Sequence, residues 1–149
     1  MNTIEVSSFS VTGLVVRTTN NEEIDPSTAK IGKLWEEFYK NSSSHLNNSS
    51  KVYGLYTNYE SDATGKFDVV ACSDTLSKEQ LENSVEFQIS TGKYLKFSGS
   101  GSMPQTVISL WSRVWEYFNS SNCPHVRVYT TDFEFYKSEN EVEISIAIK

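Results

Sequence analysis

The sequence predicts an α+β protein built from a duplicated βαββ unit, an antiparallel sheet with two main helices on one face. Three observations predict it. LWEEFYKN, from Leu34 to Asn41, and VWEYFNSS, from Val114 to Ser121, share W-E-x-F at an offset of 80 (115 − 35). Each motif closes a stretch whose apolar residues recur at i, i+3, i+4 and i+7, the period of an amphipathic helix. Each is preceded by one segment of strand character and followed by two.

GLVVRTT, 13–19, opens the first half as a strand. Ile31, Leu34, Trp35 and Phe38 then form one helical face after a start signal at Asp25-Pro26-Ser27. Behind this helix, YTNYE (56–60) and GKFDVVACSD (65–74) read as strands joined by the Asp62-Ala63-Thr64-Gly65 turn. TLSKEQLENS, 75–84, is a polar connection with room for a helical turn. SVEFQIS, 84–90, is expected as an extra strand hairpinned through Thr91-Gly92 to KYLKFSG, which opens the second half.

In the second helix Val107, Leu110, Trp111, Val114, Trp115 and Phe118 extend the apolar stripe, and Pro104 suits the first turn. YTTDFE, 129–134, places Glu134 where Glu60 stands in the first half. EVEISIAIK, 141–149, alternates Val142, Ile144, Ile146 and Ile148 with Glu141, Glu143, Ser145 and Ala147, a strand with one buried face. Neither half of ~70 residues buries a helix and a sheet alone, so one domain, 1–149, with pseudo-repeats at approximately 1–76 and 84–149, is expected to share one core. A ligand would enter between the halves.

Composition narrows the function. Nineteen acids against thirteen bases give a formal charge of −6, which disfavours direct nucleic-acid binding and favours cationic ligands. The N-terminus has no targeting pattern and no apolar run approaches the ~20 residues that span a bilayer, so a soluble cytoplasmic protein without membrane contact is expected. Cys72 and Cys123 read as thiols. His45 and the Cys123-x-His125 pair belong to polar loops, and with no metal-binding or nucleophile motif the expectation is no metal, no catalytic residue and no cofactor. FSGSGSMP, 97–104, lacks the lysine and the spacing of nucleotide-binding loops and reads as a strand-to-helix connection.

Aromatics make up 13% of the chain, and for any one of them packing in the core is the default role. Glu134 is the exception. If Phe133 and Phe135 face one side of their strand, then Asp132, Glu134 and Tyr136 face the other. That other face is either solvated, or the floor of an aromatic cavity where the carboxylate awaits a cation.

A resemblance joins these features. Y94-L-K-F97-S-G-S-G, the LWSRVWEYF helix, D132-F-E-F-Y136 and EVEISIAIK, together with V-x-G-L at 11–14, LWEEF, Y53-G-L-Y-T-N-Y-E60 and FDVVAC, resemble the effector-binding domains of AraC-type and multidrug-sensing regulators. This is the gyrase inhibitor-like small-molecule-binding family, including standalone members encoded by integron gene cassettes. The resemblance implies a pocket between the halves in which an acid, here Glu134, meets amphipathic organic cations or drugs. Glu134, Trp111, Trp115, Tyr53, Tyr56, Phe97, Tyr136 and Glu60 are then the expected ligand contacts. The leading expectation is a non-enzymatic binding protein for such cations, and a separate DNA-binding protein would have to serve any transcriptional role. The resemblance also implies two alternatives: a hydrolase of reactive cyclopropane-containing compounds using an aromatic-glutamate pair, and an interaction module for gyrase or a separate regulator.

Overall fold

The computed structural model describes residues 1–149. Eight strands, β1 (Asn2–Val6), β2 (Phe9–Thr18), β3 (Val52–Thr57), β4 (Phe67–Ser73), β5 (Val85–Ile89), β6 (Gly92–Ser100), β7 (Thr131–Ser138) and β8 (Glu141–Ala147), form one antiparallel sheet in the order β1-β6-β8-β7-β3-β4-β2-β5. Three helices accompany it: α1 (Asn20–Ile24), α2 (Ile31–Ser42) and α3 (Gln105–Asn119). None is long and apolar enough to cross a membrane.

The duplication is present, with a correction at its seams. β5 does not hairpin onto β6; it pairs with β2, Phe9 opposite Ile89 and Val11 opposite Phe87. An additional strand, β1, pairs with β6, Ile4 opposite Tyr94. Each half therefore begins with a strand that completes the edge of the other half. The reason is burial. This exchange sets Ile4 and Val6 on one flank, and Phe9, Val11, Phe87 and Ile89 on the other, into a single cluster with Tyr53, Tyr94 and Phe133. A local hairpin satisfies the turn chemistry at Thr91-Gly92 but not that shared core. The two crossing links are stitched together, with Ser8 N donating to Thr91 Oγ1 at 2.9 Å.

The first helical segment also begins differently. α1 is capped by Thr19, whose Oγ1 accepts from Glu22 N at 3.0 Å, and Asp25-Pro26-Ser27 forms the turn after it rather than the start of α2. The N-terminus of α2 is capped at a distance: both oxygens of Glu23 accept from Lys30 N, and Oε1 also accepts from Ile31 N. The polar connection 75–84 contains no helix, yet it sends Leu76 and Leu81 into the core beneath α2.

Packing divides into three clusters. Leu34 and Phe38 of α2 lie on Phe67, Val69 and Ala71 of β4. Val107, Leu110 and Val114 of α3 lie on Leu95 and Phe97 of β6 and on Val142, Ile144 and Ile146 of β8. The opposite face curls around the Tyr53 and Phe133 cluster. Full burial of each large side chain contributes about 1.5–3 kcal/mol, so the helices are fixed mainly by these stripes. α2 covers the β2 and β4 side and α3 the β6 and β8 side, which leaves the central pair β3–β7 open between them.

Candidate functional site

The open strip becomes a cavity of about 1080 Å³ whose floor is β3 and β7 and whose walls are the helices. Strand parity selects the floor. Tyr53, Leu55 and Phe133 belong to the core on the far face, so Val52, Tyr56, Asp132, Glu134 and Tyr136 face the helical side.

Glu134 lies at the bottom with 2% of its surface exposed. Its Oε2 accepts from Tyr56 Oη at 2.8 Å and from Trp111 Nε1 at 2.7 Å, and its Oε1 accepts from Tyr136 Oη at 2.8 Å. No lysine, arginine or histidine forms an ion pair with it. Burial pushes its carboxyl above the usual range, and the bonds from Trp111, Tyr136 and Tyr56 pull it part of the way back. Burial, and then the Glu134 charge, push both tyrosine hydroxyls far up, so they remain protonated donors.

The register explains how the carboxylate fits. Gly54 stands directly opposite Glu134 across the β3–β7 pair. A Cβ on Gly54 would collide with Glu134 Oε1 and come within 3.1 Å of Trp35 Cζ2. The missing side chain is the space the carboxylate occupies. The structural counterpart of Glu134 in the first half is thus Gly54, at the same offset of 80 as the two helices, and the correspondence with Glu60 is corrected. β3 ends at Thr57, and Glu60 lies exposed in the turn that follows, where its Oε1 accepts from Lys66 N.

Of the residues expected from the sequence, the fold brings Glu134, Trp111, Trp115, Tyr56 and Tyr136 together in the cavity. It does not bring the other three. Tyr53 points into the far-face core, Phe97 packs beneath α3 against Tyr117 and Phe118, and Glu60 stays at the surface.

Several cavity residues escaped sequence reasoning. Trp35 makes an edge contact with Tyr136, ring centroids 5.3 Å apart, and stacks on Tyr39. Its signal was available, because the offset of 80 matches Trp35 to Trp115 and Tyr56 to Tyr136. A second polar group at the cavity had no local signal. Arg127 Nη2 reaches Asp132 Oδ2 at 2.7 Å, with 6% and 0% of the two side chains exposed. Tyr59 Oη donates to the same oxygen at 2.6 Å, and Ala147 N donates to Asp132 Oδ1 at 2.8 Å. The guanidinium lies 4.4 Å from the Tyr129 ring centroid.

The chemistry on offer is recognition of charge in an apolar space. Two of the groups holding Glu134 are phenols and the third is an indole, all three of them donors to the carboxylate, and no cluster of His, Cys, Asp or Glu is placed to hold a metal.

Residues 3–148 match the family description Cass2, integron-associated effector binding protein. An integron cassette protein from the mobile metagenome of Vibrio cholerae, known from its crystal structure, is 62% identical, with a TM-score of 0.95 over 99% of this chain and 95% of that one. The structure of SAV2435 bound to tetraphenylphosphonium superposes with a TM-score of 0.74 at 17% identity, over 99% of this chain and 93% of that one. A putative transcription regulation protein from Staphylococcus aureus gives 0.75 at 18% identity, over 99% and 97%. These last two show a shared fold. Comparison with curated sequences returned no match.

Proposed function

The chain belongs to the integron-associated effector binding protein family, and from that premise we propose that it binds amphipathic organic cations in the cavity above Glu134, without turning them over. One observation carries the reading. A carboxylate with 2% of its surface exposed is held by three neutral donors and no cation, in a cavity 16 of whose 24 lining residues are hydrophobic. Desolvating a charge costs several kcal/mol, and a ligand cation delivered to Glu134 offsets that cost. The surrounding tryptophans and tyrosines add cation–π attraction of about 0.5–2 kcal/mol per well-placed ring. The cavity volume of about 1080 Å³ suits a drug-sized molecule. The tetraphenylphosphonium bound to SAV2435 is a ligand of this kind on the same fold.

Titration calorimetry with tetraphenylphosphonium and a neutral tetraaryl analogue tests the reading. The cation is expected to bind and the neutral analogue to bind far more weakly. Glu134→Gln, which keeps the size of the side chain and one of its acceptor oxygens, is expected to weaken the cation by about 2 kcal/mol or more, ~30-fold. Equal binding of charged and neutral compounds, untouched by the substitution, rejects the proposal.

A further inference from the structure

The cavity lining is paired about one axis. β3 and β7 are neighbours at the centre of the sheet, and the offset of 80 carries Gly54 onto Glu134, Tyr56 onto Tyr136 and Trp35 onto Trp115. At the rim it carries Glu23 onto Met103 and Ile24 onto Pro104, all four of them wall residues. Two aromatic positions of the wall are therefore duplicated, while Trp111 answers to Ile31, Tyr39 to Asn119, and the charge to a glycine. The two positions able to bear the acid face each other across the strand pair, so a single carboxylate beside a glycine takes the space of both. It receives one tyrosine hydroxyl from each half, Tyr56 on Oε2 and Tyr136 on Oε1. One aromatic wall rises on each side of it: Trp35 with Tyr39 from α2, and Trp111 with Trp115 from α3, ring centroids 5.8 and 6.2 Å apart.

We propose that the cavity selects cations whose charge lies centrally between two aryl arms over isomers whose charge is terminal. The inference rests on the cation reading of Glu134 and adds the geometry of the ligand to it. A cation gains most with its charge against Glu134, which is on the axis. From that point the apolar walls extend both ways. A centrally charged ligand lays an aryl arm against each wall, while an end-charged ligand of equal composition fills one wall and leaves the other wet. The hydrophobic gain follows the apolar area covered, so the first ligand binds more tightly.

Dibenzyldimethylammonium and (4-phenylbenzyl)trimethylammonium are isomers, each with one permanent charge and a pair of benzene rings, and they differ in where the charge sits. Titration calorimetry of both against the wild type, Glu134→Gln, Trp35→Leu and Trp115→Leu is the experiment. The wild type is expected to bind the dibenzyl isomer about tenfold more tightly, since a second wall is covered. Trp35→Leu and Trp115→Leu are expected to weaken the dibenzyl isomer by similar factors, and only one of them to weaken the other isomer. Equal affinity for the isomers, or a reversed preference, with Glu134→Gln weakening both, overturns the central-charge inference and leaves the cation reading standing. Binding of neither isomer, or binding that Glu134→Gln leaves unchanged, overturns both.

Discussion

Asp132 and Glu134 stand two residues apart on the same face of β7, with 0% and 2% of their surface exposed, yet the protein treats them in opposite ways. Asp132 is neutralised by Arg127 and satisfied further by Tyr59 and the backbone of Ala147. Glu134 receives three hydrogen bonds and no charge. A buried ion pair whose members are fully hydrogen-bonded is a structural unit, since removing one partner strands the other in a low-dielectric interior. A buried acid held only by neutral donors keeps an unmet demand for a cation. The difference separates a residue that holds the strand in place from one that holds a ligand.

The comparison breaks most visibly at Asp132. Asp132→Asn keeps the shape and the acceptor for Ala147 but leaves the Arg127 guanidinium without its counter-charge. Urea denaturation is expected to show a loss of about 3–5 kcal/mol. Glu134→Gln removes a desolvated charge and keeps one acceptor oxygen for Tyr56 and Trp111, while Tyr136 has to turn its hydroxyl to accept from the new NH2, so its loss of stability in urea should stay well below that of Asp132→Asn. If the two substitutions cost the same stability, the division of roles is wrong.

Gly54 sharpens the comparison from across the strand pair. Gly54→Ala leaves the charge of Glu134 in place and takes its space, because the new Cβ collides with Oε1. Overpacking of this kind costs about 1–3 kcal/mol of stability, and binding of tetraphenylphosphonium should fall with it. The equivalent addition at Gly32, in helix α2 and with no neighbour within 4 Å, should have the opposite sign and raise stability by about 0.5–1 kcal/mol, because Ala favours the helix.

The sequence made the larger features legible and blurred the seams. W-E-x-F at a constant offset marks the two helices, and strand parity alone places Glu134 and Tyr136 on one face. The edge exchange of β1 and β5 was hidden because hairpin signals are local, whereas the pairing is decided by a core drawn from both flanks. Glu60 was matched to Glu134 by residue type, although the helix offset already pointed to Gly54, a residue whose contribution is the absence of a side chain. Arg127 and Asp132 lie five positions apart with no motif around them, and only the turn into β7 brings them together.

The smallest expected effect, and the one that distinguishes the two acids in solution, is the pH dependence of binding. Burial holds the Glu134 carboxyl above the usual carboxylate value of about 4.3. An acid whose folded-state pKa is raised binds a proton more readily folded than unfolded. Acidification through that window therefore stabilises the ligand-free protein while it removes the charge a cation needs. With tetraphenylphosphonium, whose charge does not titrate, affinity should decline as pH falls through the Glu134 pKa, by at most about tenfold per pH unit. The thermal midpoint of the free protein should move the other way relative to Glu134→Gln over the same window. In Glu134→Gln the binding slope should be absent. A wild type and a Glu134→Gln variant with the same pH profile for tetraphenylphosphonium would place the cation's counter-charge somewhere other than Glu134, and the contrast between the two acids would lose its functional half.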